Sequence, residues 1–370
     1  MISKVRLENF KCFEKFSMDL KNVTVLTGIN GMGKSTVMQA LLLLHQSWLS
    51  DPDIGRLYIK GKYADLGTGI DILYEKAEDD FVKIGFEKDG EISYDYRFAY
   101  MMSADYMPLV DYDITSQTRA LTTEDDLFGK HVLYLSAYRI RPQNLYRITD
   151  KAALEKREFG IDGEYALQYL NLHGEDTVFN KAIIGKNLND ASLAEQTKLW
   201  LNRIAPGVAP QVFVNSQTRT SELRYEFTEG IEKTNSYRSV NVGFGITYVL
   251  PLIIAILTAE EGDVLFLENP EAHIHPSGQR MLGELIARAG AGGVQILVET
   301  HSDHIINGIR LAVKQKQMKQ EDVQIVFFYK DEEDGYRHKY MTPKILSDGR
   351  LDTWPEGFFD EWDKALYDLM

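Results

Sequence analysis

Residues 24–36, Thr-Val-Leu-Thr-Gly-Ile-Asn-Gly-Met-Gly-Lys-Ser-Thr, constrain the fold more than any other stretch of the chain. The apolar run at 23–26 reads as a buried strand, residues 28–35 fit the pattern G-x-x-x-x-G-K-[ST], and 36–44 read as an apolar helix. Strand, glycine-rich loop and helix in that order make a P-loop. A triphosphate needs several backbone N–H donors converging on it with no side chain in the way, and a helix N-terminus adds unpaired N–H groups with a partial positive charge. Asn30, Gly31, Met32, Gly33, Lys34, Ser35 and Thr36 are the expected phosphate-binding residues. Lys34 reaches the β and γ phosphates of ATP, and the Ser35 hydroxyl ligates Mg²⁺. The bland alternative, a glycine-rich turn joining a strand to a helix, explains neither the Lys-Ser pair nor the apolar flanks.

Three later segments extend this reading. Asn241-Val-Gly-Phe-Gly-Ile-Thr247 is a second glycine-rich turn, leading into an apolar helix over 248–257. Alone it is weak, because glycines before a helix are common for packing reasons. Val264-Leu-Phe-Leu-Glu268 is a Walker B strand, four apolar residues that place an acid where open α/β sheets bind ligands, so that Glu268 can hold the Mg²⁺ shell. The His273 and His275 that follow are spaced awkwardly for one ion on a helix and read as structural. Val294-Gln-Ile-Leu-Val-Glu299-Thr-His301-Ser302 is a further apolar strand with a polar end, and His301 has the donor chemistry to meet a γ-phosphate.

Between these motifs the chain reads as follows. Residues 2–13 alternate as a half-buried strand, with a second strand at 16–20. From 57 to 110 the texture is β, with runs at 81–86 and 92–98 joined through Asp89-Gly90, a hairpin signal. Asp65-Leu66-Gly67-Thr68 reads as a turn. A strand at 131–136 is followed by a loop, and 152–205 turn helical, with Trp200, Leu201 and Ile204 at core spacing. No sustained heptads occur in 50–205, so no long coiled-coil arm is expected.

The 370 residues are 44% hydrophobic, enough for a sizeable core. The longest apolar run, 248–259, is interrupted by Pro251 and falls short of the roughly 20 residues that span a bilayer. No membrane span is expected. The absence of a basic-then-apolar start and a lone Cys12 point to the cytoplasm. With 55 acidic against 41 basic residues, a net charge of −14, the surface as a whole repels nucleic acid. A nucleic-acid contact would need a local patch, for which Arg139, Arg141 and Arg147, or Lys314, Lys316 and Lys319, are the candidates.

The order of P-loop, glycine-rich turn, Pro-Glu-x-His-x-His-Pro after the Walker B strand, and Thr-His-Ser resembles the ABC-type ATPases of the SMC, RecF and OLD group. It is most similar to the AAA-family proteins of bacterial phage-defence operons. The opening Ile-x-x-x-x-Leu-x-Asn-Phe-x-x-Phe is similar as well, and the segment from Asp348 to Phe359 looks like a C-terminal piece found in a subset of them. The resemblance implies that Gly243, Gly245 and Thr247 stand where the ABC signature sits, and His301 where the switch histidine sits. It also implies a head-to-tail homodimer sandwiching two ATP molecules.

Two departures stand out. The signature lacks the Ser-Gly-Gly order, and Asn269 follows the Walker B acid where most ABC enzymes carry the glutamate that polarises water. Either Glu271 or Glu299 substitutes, or hydrolysis is slow and the ATP-bound dimer is long-lived.

The expected fold is an α/β P-loop NTPase with an ABC-ATPase-like mixed sheet, an antiparallel β side layer and an inserted mainly helical region. Its parts are an ATPase core at 1–50 and 206–345, a β layer at 51–150, a helical insertion at 151–205 and a tail at 346–370. The expected function is an ATP-hydrolysing sensor or regulator in a prokaryotic antiviral system. The rivals are a slowly hydrolysing scaffold for a separately encoded nuclease or toxin and, behind it, a DNA repair or recombination ATPase. Direct nuclease action has little support, since no acidic triad or HNH-like cluster is legible.

Overall fold

The computed structural model describes residues 1–116, 131–185, 190–229, 232–331 and 337–370. In chain order the elements begin with β1 (Ile2–Phe10), β2 (Phe13–Asp19), β3 (Val23–Gly28), α1 (Lys34–Ser50), β4 (Arg56–Tyr58), β5 (Phe81–Lys88), β6 (Ile92–Ala99) and β7 (Tyr106–Ser116). Next come β8 (Val132–Leu135), β9 (Tyr146–Arg147), α2 (Lys151–Glu155), α3 (Ala166–His173), α4 (Leu193–Ile204), β10 (Val208–Asn215), β11 (Thr220–Glu229), β12 (Glu232–Lys233) and β13 (Tyr237–Arg238). The remainder is α5 (Phe244–Thr258), β14 (Val264–Glu268), α6 (Pro276–Ala291), β15 (Gln295–Glu299), α7 (Asp303–Lys314), β16 (Val323–Asp331), β17 (Arg337–Met341) and α8 (Glu361–Leu369).

The chain forms two compact units. Met1–His131, Val323–Lys344 and Thr353–Met370 make the first, Val132–Asp322 and Ile345–Asp352 the second.

In the first unit an antiparallel sheet runs in the order β2-β1-β5-β6-β7-β4. Alternation sets its two faces: Val5 lies opposite Met18 and Phe86, Leu7 opposite Phe16 and Ile84, and all are buried. On the other face Arg6 pairs with Glu87 at 2.5 Å and Asp95 at 3.0 Å. The Asp89-Gly90 hairpin forms as the sequence predicts, both residues at positive φ and Lys88 opposite Ile92. The expected turn at 65–68 leads into a 3₁₀ turn capped by Thr68 and Asp71. The same unit holds a mixed group in which β16 runs parallel to β3 and antiparallel to β17. The C-terminal segment is anchored here through Phe358, fully buried with its ring 5.4 Å from that of Phe327.

In the second unit β14 pairs in parallel with both β15 and β8. Every residue of α5 from Thr247 to Leu257 is buried, as expected of a helix without a polar face, and only Phe244, in its first turn, is exposed. The helical stretch at 152–205 is three short helices, α2 to α4, with Gly160, Gly163 and Gly174 between them. The antiparallel pair β10 and β11, which also gathers β9, β12 and β13, has no counterpart in the sequence reading. Among the described residues no helix is long and apolar enough to cross a membrane.

Candidate functional site

The P-loop belongs to the first unit. β3 lies in register with β16, Val23 opposite Val323 and Gly28 opposite Phe328. A Cβ at Gly28 would run into the Phe328 carbonyl oxygen. One at Gly33, where φ is 98°, would lie 2.6 Å from the Phe13 ring and 2.8 Å from Cys12 Sγ. Glycine is therefore required by the loop's own packing as well as by room for phosphate.

Lys34 is 4% exposed, and its Nζ donates to the carbonyl oxygens of Gly28 at 3.0 Å and Ile29 at 2.9 Å. An anionic phosphate oxygen is a stronger acceptor than either carbonyl. α1 starts with no side-chain cap and no acid in its own first turn, which suits its N–H groups and partial positive charge to an anion. On these grounds a triphosphate fits the loop. Asn30 and Gly31 are exposed, Met32 and Ser35 half-buried, and Thr36 is buried with its hydroxyl 3.8 Å from Cys12 Sγ.

Sequence reasoning missed His338 on β17, whose imidazole bonds the backbone of Gly31 and Cys12. Burial, with Lys330 nearby, holds its pKa below the usual histidine value.

The acids belong to the second unit. The register of β14 on β15 sets Glu268 beside Glu299 at the strands' C-terminal ends. Glu268 accepts from Ala137 N–H at 3.2 Å and from the Tyr134 hydroxyl. Burial pushes its pKa up, and these two bonds together with Arg139 oppose the rise without cancelling it. Glu299 is buried, and its carbonyl accepts from Asn269 N–H at 2.8 Å. Asn269 sits at φ 41°, a left-handed conformation that asparagine tolerates better than glutamate. Glu271 bonds the next loop, accepting from the Thr300 hydroxyl at 2.7 Å and from His301 N–H at 2.8 Å. Glu268, Glu271, Glu299 and His301 thus gather at one edge of this unit, with His301 exposed.

Arg139 corrects the sequence reading. It is 2% exposed and therefore no part of a surface patch for nucleic acid, whereas Arg141, Arg147, Lys314, Lys316 and Lys319 are exposed. Its guanidinium donates to the carbonyls of Ser136 at 2.8 Å, Glu268 at 2.6 Å and Asn269 at 2.6 Å, and lies 4.2 Å from the centre of the Tyr248 ring. Burial lowers its pKa to about 10, so it stays charged at neutral pH.

The two histidines after the Walker B strand are exposed and make local contacts. The His273 ring packs 4.5 Å from Phe244, and His275 Nδ1 accepts from Ser277 N–H at the start of α6. Among the described residues no group of three or more His, Cys, Asp or Glu is placed to hold a metal ion. Mg²⁺ bound by one carboxylate, a hydroxyl, phosphate oxygens and water needs no such group.

The glycine-rich turn before α5 divides into residues of different kinds. Gly243 caps the helix with open space where a Cβ would stand, and α5 has no acid in its first turn. At Gly245 a Cβ would run into the His273 carbonyl oxygen, so this glycine serves close packing within the unit. Thr247 is a correction to the expected nucleotide-contact set: it is fully buried, and its hydroxyl pairs with that of Tyr225 at 3.1 Å.

Comparison with known proteins agrees with this geometry. Residues 23–307 match the family described as "AAA domain, putative AbiEii toxin, Type IV TA system", and 318–369 match a family of unknown function, DUF3696. The chain is 24% identical to the OLD nuclease of Thermus scotoductus (strain ATCC 700910 / SA-01) over 387 aligned residues, 95% of this chain and 69% of that protein. The crystal structure of the SmcHead bound to the C-winged helix domain of ScpA superposes with a TM-score of 0.51 at 12% identity. The match covers 93% of this chain and 98% of that one, a likeness of fold. The family match takes in the P-loop, the Walker B strand and the His301 turn and covers more than half of the chain, and the chain belongs to that AAA-domain family.

Proposed function

We propose that this chain binds and slowly hydrolyses ATP, pairs with a second copy around the nucleotide, and acts as a sensor or regulator in a prokaryotic antiviral system. The observation that carries the proposal is the P-loop itself. A buried Lys34 ammonium sits over loop carbonyls at the uncapped start of α1, a set of donors suited to a triphosphate. In this reading Lys34 holds the β and γ phosphates, Ser35 and Glu268 hold Mg²⁺, and His301 meets the γ-phosphate. Mg²⁺ supplies charge neutralisation of the developing leaving group. The open start of α5 at Gly243 offers a second anion-binding helix end to a partner subunit's nucleotide.

A second reading is favoured by Asn269. An amide cannot act as a general base, so the chain would serve as an ATP-bound scaffold that recruits or restrains a separate nuclease or toxin. The nuclease name of the Thermus relative belongs to that protein.

Equilibrium binding of labelled ATP tests the core of the proposal. Lys34→Ala should weaken binding by roughly 10- to 150-fold, since a hydrogen bond to a charged group contributes about 1.5–3 kcal/mol. Its circular dichroism should be unchanged. Undiminished affinity in a folded variant removes the P-loop assignment.

A further inference from the structure

Glu271 stands out because both of its oxygens are engaged with the neighbouring loop. Oε1 accepts from His301 N–H at 2.8 Å, and Oε2 accepts from the Thr300 hydroxyl at 2.7 Å. One carboxylate thus holds two consecutive residues of the loop that leaves β15. Behind it Gln279, on the first turns of α6, closes a ring. Its amide donates to the carbonyls of Ile274 at 2.8 Å and Glu271 at 3.3 Å, and its oxygen accepts from the Ser302 hydroxyl at 2.5 Å. Ser302 Oγ in turn accepts from the N–H groups of His304 and Ile305 and caps α7. The turn leaving the Walker B strand, the 300–302 loop and the starts of α6 and α7 therefore share one continuous set of hydrogen bonds. Such a set holds its members in one arrangement more strongly than separate pairs do.

We infer that Glu271 is a positioning residue and not the general base: its carboxylate, backed by Gln279, fixes the Thr300–Ser302 turn and so sets where His301 stands. The inference rests on the ATPase reading, in which His301 meets the γ-phosphate. It leaves the buried Glu299, of the two acids weighed as a substitute for the usual glutamate, as the remaining candidate for the base.

The two roles separate on substitution. Glutamine keeps an oxygen for His301 N–H and can turn its amide to the Thr300 oxygen, but it cannot accept a proton from water. As a positioning residue, Glu271→Gln should retain single-turnover hydrolysis within roughly tenfold of wild type, while Glu271→Ala falls to the level of His301→Ala. The double variant Glu271→Ala with His301→Ala should be no slower than either alone, as for residues that act as one unit. Thr300→Val, which removes one of the two bonds and spares the carboxylate, should lie between. A general base predicts instead that Gln and Ala variants are alike, each down by roughly 10²–10⁴-fold with ATP still bound. That result overturns the inference.

Amide hydrogen exchange at His301, measured without nucleotide, gives a second reading. It should quicken in Glu271→Ala and remain slow in Glu271→Gln, and unchanged exchange in the Ala variant also overturns the inference. Failure of the ATPase reading would show separately, as wild-type protein that binds ATP no better than Lys34→Ala, and the exchange measurement would still decide what Glu271 holds.

Discussion

His45, on the buried face of α1, titrates against the environment that surrounds it. It is 5% exposed, its ring lies 5.0 Å from Tyr63 at an edge-on angle, and burial beside His131 and Lys62 pushes its pKa down from 6.5 to about 4. A base whose folded pKa lies below its unfolded value binds fewer protons when folded. Its effect is absent above pH 6.5 and grows as pH falls toward 4, where the loss levels off. The gap corresponds to about 3 kcal/mol of stability withdrawn across that window. Denaturant unfolding of wild type and His45→Leu at several pH values within it checks this: the wild-type stability should fall more steeply with acid by about that amount. Parallel curves would mean that the imidazole accepts its proton in place.

Arg139 works between elements. It ties the segment after β8 to the carbonyls at the end of β14 and stacks on Tyr248 of α5. Arg139→Met keeps much of the stem's packing but leaves three inward carbonyls without this donor, and we expect a loss of roughly 2–5 kcal/mol in equilibrium unfolding. Lysine should recover only a fraction, because an ammonium cannot reproduce a planar fork spanning three acceptors. Sequence alone reveals the elements that this residue joins but not the joint. β3, β14 and β15 are legible because each is a continuous apolar run closed by polar residues, the pattern of a strand covered on both faces. The P-loop and both strand-end acids follow directly from those runs. Strand β10 escapes notice because its burial is partial and Pro210 interrupts it, whereas β11 carries a readable signal, Leu223, Tyr225 and Phe227 alternating with charged residues. Tyr134, Gln279 and His338 escape, and Arg139 is read only as a surface charge, for a different reason: each takes its role from a partner elsewhere in the chain, and no spacing rule encodes such a pair.

At the scale of the whole molecule, pairing can be tested at one of the two glycines before α5 and not at the other. Gly245→Arg would collide with the His273 carbonyl inside its own unit, so a failure to pair would report damage and not an interface. Gly243 has open space at its Cβ position. Mass measurement of wild type with a non-hydrolysable ATP analogue and Mg²⁺ should show pairs that the apo protein lacks. Gly243→Arg should abolish them while its thermal unfolding stays within about 1 kcal/mol of wild type, as surface substitutions do. Pairing that survives in this variant would exclude the start of α5 from the interface. The first unit also has a history written into its connectivity, since Val23 pairs with Val323 and Gly28 rests against Phe328. A ribosome adding roughly 5–20 residues each second needs on the order of 15–60 s to make the residues between those partners. Throughout that interval the nascent P-loop lacks the strand it packs against, so the packing that fixes Gly28 is complete only once β16 has been made.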